Sequence, residues 1–89
     1  MPTNLADRRQ WPRTRASGAV EILFEDPMPV TIEAELRETS ERGFRIRHGS
    51  KELVPGLEVR LRRGGAVQRA RVMWTHILDG RRESGCLLL

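Results

Sequence analysis

Val30-Thr31-Ile32-Glu33-Ala34-Glu35-Leu36-Arg37 is the stretch that decides the fold of this chain. Apolar Val30, Ile32, Ala34 and Leu36 alternate with Thr31, Glu33, Glu35 and Arg37, the period-two pattern of a strand with one buried face and one wet face. A helix would space its apolar positions about three to four apart. Upstream, Ala19 to Glu25 is an apolar run of strand length, and Asp26-Pro27-Met28-Pro29 is a turn whose two prolines forbid a helix, so the two strands form a hairpin. Downstream, Phe44 and Ile46 alternate with Arg45 and Arg47 in a third strand. Val59 and Leu61 alternate with Arg60 and Arg62, Gly64-Gly65 supplies a tight turn, and Ala70, Val72 and Trp74 alternate with Arg69, Arg71, Met73 and Thr75. Asp79-Gly80 opens another turn, and Gly85 to Leu89 reads as a last strand.

Six short strands joined by Gly and Pro turns, with no amphipathic helix among them, predict an all-β fold: a six-stranded small antiparallel β-barrel. Closure hides strand edges that would otherwise pair with other chains. Residues 1–18 lack apolar periodicity and read as an irregular arginine-rich arm leading into a barrel of residues 19–89, one domain overall. At 89 residues there is room for one modest core, and a hydrophobic fraction of 38% argues for a folded chain.

Charge is distributed in blocks. Residues 1–20 carry four arginines against Asp7; residues 21–41 carry seven carboxylates against Arg37; residues 42–89 carry ten arginines and Lys51 against four carboxylates. Fifteen of the sixteen cations are arginine, the side chain suited to bidentate contact with phosphate or a guanine edge, so an anionic partner is expected. Arginine-decorated, solvated strand faces are the plainer alternative.

Several chemistries lack their residues. His48 and His76 each stand alone, and Cys86 is the single cysteine, so neither a metal cluster nor an internal disulfide is expected. Cys86, in an apolar run, reads as a small packed hydrophobe. The serines lie in turns without a nucleophile elbow, and no carboxylate pair has an apolar surround; the chain is expected not to be an enzyme and to need no cofactor. The absence of an apolar N-terminal run predicts no leader and no membrane span, and with the lone cysteine points to a reducing, cytoplasmic setting.

Two segments carry positive signals. Arg8-Arg9-Gln10-Trp11-Pro12-Arg13 packs three guanidiniums into six residues, with Arg9 and Arg13 in RxxxR spacing and Arg15 close behind. Pro12 argues against a regular helix, so the pair reads as two pincers on a turn, with Trp11 offering a face for packing. Solvated charge on a terminal arm gives the same composition. At the bend after the second strand lies Glu38-Thr39-Ser40-Glu41-Arg42-Gly43. Glu38 and Ser40 share a face of an extended backbone, and Gly43 permits either a positive φ or a close backbone approach. An ordinary polar turn is the alternative.

Together, an RxxxR arm before the first strand and an ExSxxG turn about 25 residues later resemble the PilZ domain, a bacterial receptor family for cyclic di-GMP. Phe44-Arg45-Ile46, the approach from Leu53 to Gly56, the strand Ala70-Arg71-Val72-Met73-Trp74 and the closing Gly85 extend the resemblance over nearly the whole chain. It implies a six-stranded barrel whose arm folds over the ligand. The arginines clasping guanine edges and phosphates would be Arg9 and Arg13 with Arg8 as helper, and Glu38, Ser40 and Gly43 would line the barrel side. The family pattern has Asp or Asn where this chain has Glu38, one methylene longer.

The implied function is a regulatory module that binds cyclic di-GMP, changes conformation and signals to a downstream protein. One alternative is a degenerate PilZ-like domain acting by protein contacts without nucleotide. Another is a nucleic-acid-binding small barrel, encouraged by a sequence pI near 10.9 but disfavoured by four aromatic residues and no tyrosine.

Overall fold

The computed structural model describes residues 18–89 and the backbone of Thr14–Arg15. Every regular element among them is a strand: β1 Thr14–Arg15, β2 Ala19–Phe24, β3 Val30–Thr39, β4 Gly43–His48, β5 Glu58–Arg63, β6 Ala66–Leu78 and β7 Arg81–Leu88. Strands β2 to β7 pair antiparallel in the ring order β3, β2, β5, β6, β7, β4 and back to β3, the closed six-stranded barrel expected from the alternation. No helix long and apolar enough to cross a membrane is present among the described residues.

Within the arm, the described pair Thr14–Arg15 forms β1 along the far end of β3, with Thr14 opposite Thr39 and Arg15 opposite Glu38. Backbone hydrogen bonds define this pairing, so two residues without apolar alternation can join a sheet. The last hairpin is also longer than its apolar residues suggest: β6 runs on to Leu78 and β7 starts at Arg81, joined by Asp79 and Gly80, both left-handed at φ 52° and 76°. That turn matches the twist of the flanking strands.

The core follows the alternation. Val20, Ile22 and Phe24 of β2, Ala34 and Leu36 of β3, Phe44 and Ile46 of β4, Val59 and Leu61 of β5, Ala70 and Val72 of β6, and Cys86 of β7 are buried together, with Leu53 from the loop after β4. Each large side chain so buried contributes about 1.5–3 kcal/mol. Cys86 is the packed hydrophobe expected, and burial pushes its thiol up to about 12, which keeps it protonated.

Two register shifts interrupt the ladders, at Arg37 between Leu36 and Glu38 of β3 and at Met73 between Val72 and Trp74 of β6. Each adds one residue and reverses the facing of everything beyond it. Glu38 therefore pairs across from Arg45 on the outer wall instead of following Ala34 and Leu36 inward. Trp74, whose alternation places it with Ala70 and Val72, also turns outward, and Thr75 takes the interior position opposite Ser84.

The interior thus holds a polar relay at one end of the barrel. The Ser50 N–H donates to His48 Nδ1 at 3.0 Å, which assigns the ring proton to Nε2, 2.7 Å from Ser84 Oγ. Ser84 in turn donates to Thr75 Oγ1 at 2.6 Å, and Thr75 donates to the Leu53 carbonyl at 2.7 Å. Both ends of the relay hold backbone of the loop between β4 and β5, seating Leu53 in the core. Burial, and secondarily the charge of Arg82, lowers the His48 pKa below its ordinary value.

The sign follows from linkage. Below about pH 6.5 the unfolded chain takes up a proton at His48 that the folded chain refuses, so stability falls with pH until the folded pKa is reached. Urea midpoints measured between pH 7.5 and 5 are expected to drop in the parent and to lose that component in His48→Gln. Equal slopes would show that the imidazole does not stay neutral in the fold.

Candidate functional site

The register shifts assemble one row across the outer wall, running Glu38 on β3, Arg45 on β4, Gly85 on β7 and Trp74 on β6. Beside it runs a second row, Glu35, Arg47, Glu83 and His76. Side chains directly opposite in antiparallel strands share a face and touch, so both rows are contact chains.

Glu83 is the anchor. Its side chain is only 4% exposed, and its two oxygens divide between two arginines: Arg45 Nη1 donates to Oε1 at 2.9 Å, and Arg47 Nη2 to Oε2 at 3.1 Å. A carboxylate taken out of water requires such pairing. Arg45 then reaches across with Nη2 to Glu38 Oε2 at a looser 3.5 Å. Its Nε is buried and, among the described residues, makes no hydrogen bond. Across β7 from Arg45, the Trp74 indole lies against Gly85 so closely that any Cβ there would overlap the ring. The indole also stacks on His76, with centroids 4.7 Å apart and planes at 29°.

The expected barrel-side residues stand at the edge of this wall. Glu38 is on the outer face, held in part by Arg45. Ser40 shapes the β3–β4 turn: its Oγ accepts from the Arg42 N–H at 3.2 Å, and its own N–H donates to the Gly43 carbonyl at 2.9 Å. Gly43 is required by proximity, since a Cβ would run into the carbonyl oxygen of Cys86 on β7. Arg8, Arg9 and Arg13 lie outside the described residues. The residue that follows Arg13, Thr14, has its backbone paired with Thr39 at the mouth of the same turn.

Arg45, Arg47, Glu83, Trp74 and His76 were not among the residues expected from the sequence. Arg45 and Arg47 were visible as the wet face of a strand, but nothing in Arg81-Arg82-Glu83-Ser84 announces a buried carboxylate. Chemically the wall offers guanidinium donors, carboxylate acceptors and one indole. Among the described residues no group of His, Cys, Asp and Glu is placed to hold a metal ion.

No protein-family model matches this chain, and no curated protein matches it.

Proposed function

We propose that this chain is a PilZ-type receptor module for cyclic di-GMP. One observation carries the reading: β1 fastens the backbone immediately after the RxxxR segment to Glu38 and Thr39, at the start of the ExSxxG turn. Thr14 and Arg15, which follow the RxxxR segment in the chain, therefore meet the start of the ExSxxG turn at one edge of the barrel. In this reading Arg9 and Arg13 grip the guanine edges and phosphates, with Arg8 assisting. Glu38 accepts from guanine N1 and N2, Ser40 offers its hydroxyl from the turn, and Gly43 lets that turn sit tight against β7. Ligand fixes the arm against the wall and creates the surface that a downstream protein reads. The protein acts as a cytoplasmic binding module and not as a catalyst.

A second reading, a PilZ-like domain that has lost nucleotide and works by protein contacts, is favoured by the pairing of Glu38 with Arg45, which engages the carboxylate. Nucleic-acid binding is disfavoured, because Phe24 and Phe44 are buried and Trp74 packs on Gly85 and His76. Calorimetric titration with cyclic di-GMP, using GTP and a short oligonucleotide as controls, tests the proposal. Saturable heat with cyclic di-GMP alone supports it, and heat with the oligonucleotide alone overturns it.

A further inference from the structure

We infer that Arg45 is a further ligand-contacting residue, one whose Nη2 exchanges its loose contact with Glu38 for a ligand phosphate, with buried Glu83 as its positioning residue. The inference rests on the cyclic di-GMP reading of the same wall.

Arg45 is held at one end and loosely held at the other. Nη1 is fixed on Glu83 Oε1 at 2.9 Å by a carboxylate that cannot leave, since it is 4% exposed and shared with Arg47. Nη2 meets Glu38 at 3.5 Å, beyond the usual range of about 2.7–2.9 Å for a charge-assisted bond. The Arg45 side chain is about one third exposed, while its Nε is buried and makes no hydrogen bond among the described residues. An acceptor arriving on the outer face therefore needs only to replace the weaker of two contacts.

Arg45 and Arg47 share Glu83, and Glu35 stands across from Arg47, so an exchange at Arg45 Nη2 leaves the Glu83 pairing in place. Because Glu83 occupies Nη1, Arg45 has one terminal nitrogen to give and not a fork. That suits a non-bridging phosphate oxygen better than the paired O6 and N7 acceptors of guanine.

The test is titration of cyclic di-GMP into the parent, Arg45→Ala, Arg45→Lys and Glu83→Gln, with the Arg45 Nε–Hε NMR signal followed in the parent and in Glu83→Gln. Arg45→Ala is expected to weaken binding about tenfold, the worth of one charged hydrogen bond. Arg45→Lys should lose nearly as much, because one ammonium cannot span Glu83 and the ligand together. If Arg45→Ala fails to fold, Arg45→Lys alone decides. Glu83→Gln should lose several-fold, and the Nε signal, which moves on ligand addition in the parent, should already stand displaced in the free variant. Glu83→Gln binding as tightly as the parent overturns the positioning role of Glu83. Parent and Arg45 variants binding within about twofold of each other overturn the inference and leave the nucleotide reading intact. No binding by the parent overturns both.

Discussion

Arg9→Ala and Arg13→Ala are each expected to weaken cyclic di-GMP binding about thirtyfold, a loss of about 2 kcal/mol. The magnitude comes from the contact type, since a guanidinium giving two parallel charge-assisted bonds leaves two acceptors unpaired when removed. Lysine should not rescue either position, because it keeps the charge and loses the fork. Arg62 and Arg69 are the controls. They sit on the β5–β6 side of the barrel, where Arg62 pairs with Glu21 and Arg69 with Glu58, and both are well exposed. Their replacement by alanine should cost under about 0.5 kcal/mol. Titrations at one fixed salt concentration separate the readings. Equal losses at all four arginines mean diffuse attraction and point to nucleic acid. Silence in the parent, with binding gained in Glu38→Asp, points to a domain whose carboxylate has been drawn away by Arg45.

The barrel was legible because its inward residues repeat at period two. Ala34 with Leu36, Phe44 with Ile46, Val59 with Leu61 and Ala70 with Val72 all stand where alternation puts them, on the inside. The bend over 40–42 was legible for the same reason, since alternation stops there, although Glu38 belongs to β3 and Gly43 to β4. The wall beside it was not legible. A register shift depends on how the neighbouring strand bonds, so nothing within Leu36-Arg37-Glu38 or Val72-Met73-Trp74 marks the extra residue, and Trp74 was read onto the wrong face. Glu83 is buried only because arginines 38 and 36 residues earlier in the chain fold over it. β1 escaped notice because its two residues join the sheet through backbone, and backbone bonding leaves no composition to read.

Gly43→Ala is expected to destabilise the barrel by about 3 kcal/mol, at the upper end of the usual overpacking range. The atom that a Cβ would meet is the carbonyl oxygen of Cys86, part of the β7 ladder, with the Cys86 carbon and Leu87 Cα close behind. No rotamer change relieves a backbone contact, so β4 and β7 must part where Gly43 opposes Leu87 and Phe44 opposes Cys86. Gly43 is not among the positive-φ glycines, which makes proximity and not backbone conformation the cause. Gly49→Ala is the matched control, because a Cβ there meets nothing within 4 Å and the backbone is not left-handed. It should change stability by under about 0.5 kcal/mol. Urea denaturation midpoints of the two variants beside the parent make the comparison. The seam that opens in Gly43→Ala also carries the pairing of Arg45 with Gly85 and of Arg47 with Glu83, so cyclic di-GMP affinity should fall with stability in this variant and hold in Gly49→Ala. A Gly43→Ala protein as stable as the parent would mean that the two strands are not packed at that distance, and the ExSxxG turn would lose its reason for ending in glycine.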